Sequence, residues 1–575
     1  MPNSSSSSLW HRLLEGRISR RAALRGGVAS GAAALLPLNL RCAPLAPPDS
    51  IPTGSARPPF QPIQPTVADD LVLPPGYRYD LLRAYGDELA PGLPFGYNAD
   101  FTAFFPIDGP EGGRSSTDGL LWVNHEYPNP MLMYGYRGGA KTPEQIRMER
   151  NSVGGSVFRV RREPDGRWRF ARDGRNRRVT SYTPCRLTGP VAGSPGVFGA
   201  TGVIGSAGNC SGGVTPWGTV LSCEENVDEY AAPLEGPGFG YGWEQATYVR
   251  EHQGWVVEVD PYDPASVPLK RTAMGRFRHE NVAIRMSPER RVVAYMGDDK
   301  QDSCVYKFVS DRAFDPADRD ANLRLLESGR LYAADFGTGR WLPLDHATQP
   351  GLRDARAADG RPLFASQAEV LLDARAAALA LGATPTDRPE DIEIHPRTGH
   401  VYAALTNNAR HGNFHGQIIR LMEEEDDPEA LAFQWDFFAT GGPQSGFSSP
   451  DNLIFDPRGN LWMVTDISSS RVGEPDSIYA FQGNNAMFFF ATEGPDAGRA
   501  FQFASGPVEC ELTGPFWTPD GTTLFLSVQH PGEQSESLRA LSSHWPAGDG
   551  RSVPRPGVVA VSGFAGWGAD RFPRW

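Results

Sequence analysis

The sequence predicts an all-β fold: a six-bladed β-propeller with helical and loop insertions capping a central metal site. Three observations carry this. A hairpin unit recurs six times along the chain, and a polar side chain stands an even number of residues, six or eight, before the turn proline of each copy. The 575 residues also include 64 Gly and 51 Pro, while 40% are hydrophobic and 10% aromatic. That much turn material beside that much apolar material describes many short buried strands, not disorder.

Each copy has a turn of the Pro-x-Gly kind, a short apolar strand and a polar cluster. The copies are STDGLLWVNHE (116–126), TPWGTVLSCEEN (215–226), SPERRVVAYMGDD (287–299), HPRTGHVYAALTNN (395–408), DPRGNLWMVTD (456–466) and TPDGTTLFLSVQH (518–530). The strands alternate or run apolar as sheet-core strands do, and the turn residues accept tight hairpin geometry. The prolines before successive turns are 110, 72, 108, 61 and 62 residues apart. A four-stranded blade takes roughly 40–45 residues, so the intervals hold insertions. One insertion is predicted to carry a helix over FASQAEVLLDARAAALALG (364–382), ending at Gly382 and delivering the chain to Arg388 and Glu390.

A second strand precedes each turn and begins with a polar residue. Asp100, Cys210, Glu390 and Asp451 lie six residues before their turn proline, and Glu280 and Glu511 lie eight before theirs. An even offset keeps one face of a pleated strand. Inner-strand ends of a propeller converge on its channel, so the polar residues of all units meet there. The converging set is Asn98, Asp100, Asn124, His125, Glu126, Cys210, Glu224, Glu225, Glu280, Asp298, Asp299, Glu390, Asp451, Asp466, Glu511 and His530. So many carboxylates cannot share a cavity while ionised and unpaired; cations must compensate. Oxygen-rich clusters suit Ca²⁺ and similar hard ions, and a single thiolate among carboxylates suits a transition metal. Cys210 stands where sister blades put Asp or Glu and is the candidate thiolate, whereas Cys223, inside TVLSCEE, reads as core packing. Arg388, two residues before Glu390, offers a planar fork matched to phosphate, and His395 follows near the turn. A polymetal centre with an Arg and a His is equipment for phosphoryl transfer. The chain has no G-x-S-x-G elbow and no Walker-type loop.

The net charge of −13, with no basic stripe, argues against nucleic-acid binding and suits a protein that concentrates cations. Arg20 and Arg21 follow Ser19, and a mild Gly/Ala-rich stretch runs from Gly26 to Leu38. It is too short to span a bilayer. Residues 1–42 therefore read as a cleavable twin-arginine signal, with the twin-arginine export machinery as a partner, a periplasmic or secreted location and no stable membrane anchor. Residues 43–70 form a Pro-rich lead-in, 71–575 a single propeller domain, and a monomer is expected.

The motifs FGYNADFTAFFP, WVNHEY, NCSGGVTPWGTVLSCEEN, GRFRHE, DRPEDIEIHP, SSPDNLIFDPRGNLWMVTD and ELTGPFWTPDGTTLFLSVQHPGE resemble the PhoX family of bacterial alkaline phosphatases. The resemblance runs from about residue 70 to the C-terminus. It implies a six-bladed propeller, phosphomonoesterase activity on small phosphomonoesters, and a centre of two oxo-bridged ferric ions with three calcium ions. By motif, it makes Cys210, Glu280 and Glu390 iron ligands and Glu225 a calcium ligand. Asp451 is the further iron aspartate by ring position, with Asp466 the alternative. Asp298, Asp299, Glu224 and Glu126 complete the candidate metal set. Arg388 would hold the substrate phosphate, with His395 and Asn124 beside it. Two competing readings are a calcium-dependent propeller hydrolase of lactonase or phosphotriesterase type, in which Cys210 is dispensable, and a non-catalytic calcium-stabilised binding propeller.

Overall fold

The computed structural model describes residues 58–110, 113–232, 240–243 and 248–566. The export signal assigned to 1–42 and the first part of the lead-in lie outside the described residues. All six predicted hairpins form, and each opens one blade. The leading strands are Ala99–Pro106, Asn209–Val214, Ala283–Met286, Pro389–Ile394, Pro450–Phe455 and Glu511–Trp517, opening blades 1 to 6 in that order. Each pairs antiparallel with the strand that follows it in the chain, and further strands complete each sheet outward.

The six leading strands touch one another in ring order, with blade 6 meeting blade 1. They are therefore the inner strands around the channel. The ring is closed by Arg78–Ala84, which pairs with Gly557–Ser562 in blade 6. Building one blade from both ends of the chain closes the circle and leaves no inner edge to pair elsewhere. Alternate side chains of neighbouring blades then form the core. Val293 and Tyr295 of blade 3 pack with Ile392, Ala403 and Leu421 of blade 4, and Trp462 and Val464 of blade 5 with Leu512 and Leu526 of blade 6. Each large apolar side chain so buried contributes about 1.5–3 kcal/mol.

One feature differs from the sequence reading. The stretch 364–382 is not one helix but two, Gln367–Leu372 and Ala374–Ala380. Asp373 breaks it with an extended φ, and its carboxylate accepts from the Ala376 amide to start the second helix. A side chain that caps can compete with helix continuation. The described part of the lead-in packs on blade 5. Phe60 packs among Trp462, Phe489 and Phe503 of blade 5, and the Ile63 amide donates to the Gln502 carbonyl. Among the described residues no helix is long and apolar enough to cross a membrane.

Candidate metal centre

One end of the inner strands is built differently from the other. The pairing register slips between Ala99 and Thr102, Asn209 and Gly212, Pro389 and Ile392, and Pro450 and Leu453. A β-bulge therefore holds Asp100, Cys210, Glu390 and Asp451, each the first residue of an extra pair. Bulges re-aim side chains, so these four point away from the regular pleat. Two residues before each of them the backbone turns left-handed: φ is 43° at Asn98, 66° at Gly208, 56° at Arg388 and 50° at Ser449. Glu509, at 61°, does the same before Glu511. Left-handed φ costs a non-glycine residue on the order of 1 kcal/mol, a strain repeated here at one level of the ring. The constant offset in the sequence thus reflects a shared bulge, not the unbroken pleat that parity assumed.

A bulge leaves backbone groups unpaired, and those need partners. Side chains of the neighbouring blade supply them. Asn124 of blade 1 donates to the Cys210 and Ser211 carbonyls at 2.6 and 2.9 Å. Asn281 spans to blade 4, donating to the Ile392 carbonyl and accepting from its amide at 2.7 and 3.0 Å. Asp391 accepts from the Leu453 amide at 3.1 Å and Asn452 from the Gly514 amide at 2.7 Å. Ser527 donates to the Asp100 carbonyl at 2.6 Å. Gly297 lets blades 3 and 4 meet at this level, because a Cβ there would lie 2.3 Å from the Pro389 and Glu390 carbonyl oxygens.

The four bulged side chains, with Glu126, Glu225 and Glu280, form three linked triads: Asp100, Glu126 and Cys210; Cys210, Glu225 and Glu280; and Glu280, Glu390 and Asp451. Within each triad the donor atoms lie within 4.8 Å of one another. Cys210 Sγ is 3.5 Å from Glu280 Oε1. Burial first, then Glu390, Asp451 and Glu225, pushes the Glu280 carboxyl far above the ordinary range. Burial likewise raises Glu225, Glu390, Asp451 and the Cys210 thiol, with neighbouring carboxylates adding to the effect. Asp100 rises to about 6, burial outweighing the hydrogen bonds from Thr513 and Cys210. Glu225 Oε1 and Glu280 Oε2 are buried without a hydrogen-bond partner. Such atoms need a cation or a proton. The donor set, many carboxylate oxygens around one sulfur, fits hard cations with one transition-metal position.

Arg388 crosses the mouth of this cluster. Its Nε and Nη2 each lie 2.8 Å from an Asp299 oxygen, and Nη2 is 2.6 Å from Glu390 Oε1 and 3.4 Å from Asp466. Burial opposes its charge, but Asp299 and Glu390 outweigh burial and keep the guanidinium ionised. Asp299 is therefore a guanidinium holder on the rim, with Arg388 keeping its carboxyl below the usual range against the effect of burial. Asp451 joins the triads and Asp466 does not.

Four residues of the predicted site are placed elsewhere. Glu224 is consumed by structure: Lys270 and Ser206 bind Oε1 at 2.7 and 2.9 Å, and the Gly254 and Trp255 amides bind Oε2 at 2.8 and 3.1 Å. Asp298 is gripped by Arg375 and by the Arg278 amide. Asn124 has both amide atoms committed, since Oδ1 accepts from Trp122 and Ser222 at 2.7 Å each; it positions the Cys210 bulge. His395 sits at the far end of its strand, roughly 16 Å from Glu390 at the usual strand rise. Its Nδ1 accepts from the Arg397 and Thr398 amides at 3.2 and 3.1 Å, which fastens the turn. Conversely, Asp100 enters a triad, and Glu511 lies against Asp451. Gln529 donates to both Asp100 and Glu126, at 3.1 and 2.7 Å. One histidine at this end, His530, lies 3.3 Å from Glu511. Both Glu511 and His530 stood in the recurring unit, but nothing in the spacing ranked them above their neighbours.

Comparison with known proteins agrees with this architecture. The model of the family alkaline phosphatase PhoX matches residues 58–532. Pseudomonas fluorescens PhoX, solved in complex with vanadate, a transition-state analogue, is 33% identical with a TM-score of 0.76, covering 88% of this chain and 97% of its own. A Dyadobacter fermentans protein of unknown function is 10% identical with a TM-score of 0.38, over 85% of this chain and 99% of its own. None of the curated proteins matches. With the six-bladed ring, the buried donor cluster, the family match and a solved relative at this identity, the chain belongs to the alkaline phosphatase PhoX family.

Proposed function

We propose that this phosphomonoester hydrolase works through a mixed-metal centre held by Cys210, Glu225, Glu280, Glu390 and Asp451, with Asp100 and Glu126 as further ligands. The observation that carries the reading is the chain of three triads sharing Cys210 and Glu280. One thiolate among carboxylates supports iron beside calcium, two ferric and about three calcium ions being the family's complement. When bound, the metals would supply charge stabilisation on the phosphoryl oxygens and an activated oxygen nucleophile. The chain's own residues do the positioning. Arg388, its fork fixed by Asp299 and Glu390, offers its free edge to a phosphate oxygen. Asn124, Asn281, Asp391 and Ser527 hold the bulges that aim the ligands, so the donors are set before substrate arrives.

The reading extends to the whole chain: a twin-arginine signal over 1–42, a lead-in over 43–70, a single catalytic domain over 71–575, export to the periplasm or beyond, and a monomer. Elemental analysis, a visible spectrum and turnover of p-nitrophenyl phosphate by the purified protein test the centre together. A coloured protein with iron and calcium, bleached and inactive as Cys210→Ala, is expected. A colourless protein that keeps full activity as Cys210→Ala sinks the thiolate role and favours a calcium-only hydrolase.

A further inference from the structure

A cavity of about 340 Å³ opens beside the metal centre, and Glu225 forms part of its wall. Five cationic side chains line it: Arg250, Arg276, Arg278, Lys300 and Arg375. Their partners show how much of this charge is spent. Arg375 is taken by Asp298, and Arg278 by Asp228 at 3.0 Å. Arg276 donates to carbonyls, those of Gln253 and Arg250 at 2.7 and 2.9 Å, and makes no ion pair among the described residues, Glu251 and Glu224 acting on it only through space. Among the described residues Arg250 ion-pairs only with the adjacent Glu251, at 3.2 Å. Lys300 makes no ion pair among the described residues. Its ammonium is held below its usual range by burial, then by Arg375 and Arg278. Of the acids that line the cavity, Glu225 belongs to the metal centre and Asp228, Glu251 and Asp373 remain. The protein thus keeps unspent positive charge next to the place where an anionic ester is cleaved.

The cavity is joined to the reaction centre on two sides. Glu225 shares a triad with Cys210 and Glu280. Lys300 directly follows Asp299, the residue that grips Arg388. The cavity therefore lies beside the position that a phosphoryl group would take at the metals and Arg388, and its volume is at the small end of ligand pockets. Arg and Lys facing such a space recognise phosphate or carboxylate.

We propose that this basic cavity is a leaving-group subsite, and that the enzyme favours phosphomonoesters whose alcohol carries a second anionic group. The proposal rests on the metal-centre reading of catalysis. Matched substrates test it: 3-phosphoglycerate against glycerol 3-phosphate, and fructose 1,6-bisphosphate against fructose 6-phosphate. The wild type is expected to prefer the member with the extra anion by about tenfold in kcat/KM, the scale of one charged hydrogen bond, and mainly through KM. The double variant Arg250→Ala/Lys300→Ala removes two rim side chains outside the metal cluster. It should lose the preference while turning over glycerol 3-phosphate within about twofold of wild type, and added salt should shrink the wild-type preference. Equal turnover of matched members by the wild type, or a preference that survives in the double variant, overturns the subsite. Failure of the wild type to hydrolyse p-nitrophenyl phosphate would instead strike the parent reading.

Discussion

The two ends of the inner strands are made of the same hairpins and have opposite chemistry. At the turn end the leading strands pair in regular register, and His395 fastens its own turn and packs against Phe455 and Tyr402. At the other end four strands bulge, five backbone positions turn left-handed, and buried oxygens lack partners. The same contrast separates adjacent residues. Glu224 accepts four hydrogen bonds, including one from buried Lys270, while Glu225 Oε1 has none. A saturated carboxylate stabilises the fold; an unsaturated one beside strain is set up to bind something else.

The largest break in this comparison should come from the unsaturated end. Cys210→Ala or Glu390→Ala is expected to lower phosphatase activity on the order of 10³-fold, with loss of bound metal and an unchanged circular dichroism spectrum. Full activity in either variant would falsify its place in the centre. Next comes the neighbouring pair. Glu224→Gln leaves Lys270 charged and buried, so it should cost about 3–5 kcal/mol of stability in denaturant unfolding. Glu225→Gln should leave the metal-free protein at least as stable while reducing calcium content and turnover. Similar stability losses in both would erase the distinction.

Asn124 tests whether clamping a bulge matters as much as supplying a ligand. Asn124→Ala should cost about 10–100-fold in activity or metal affinity, the range seen for residues that orient metal ligands. A drop as large as that of Cys210→Ala would mean that it acts on substrate directly. The metal-free protein carries a pH signature with a definite sign. Asp100 has a folded pKa of about 6 against an ordinary 3.8, so the folded state binds more protons and stability falls as pH rises between those values. Metal-stripped wild type should therefore lose melting temperature relative to metal-stripped Asp100→Asn across that window, and metal should abolish the difference. The smallest effect belongs to the turn end. His395 is held neutral, its pKa lowered to about 4, so its contribution is complete above the usual 6.5 and fades as pH falls toward 4. His395→Gln should keep wild-type kcat and KM and lose only this acid-side dependence of stability; a drop in kcat would return His395 to the site.

The recurring hairpin made the fold legible. Period-two strands with Pro-x-Gly turns can bury their faces only against copies of themselves, so STDGLLWVNHE and its five relatives dictate a ring. The type of chemistry was legible too, because one cysteine at a position of carboxylates is a statement about metals that needs no coordinates. Which carboxylates serve was not. Glu224 and Glu225 are the same residue type one position apart, and only the packing of Lys270, Ser206 and the Gly254 and Trp255 amides spends the first and spares the second. Asn124 and His395 looked like substrate residues by motif, but the direction of each side chain belongs to a bulge in another blade or a turn at the far end. The sequence by itself determined the repeat, the ring and the kind of donors collected at its axis. Tertiary structure decided which donors remain unsatisfied, because hydrogen-bond saturation depends on what the neighbouring blades and insertions bring to each oxygen.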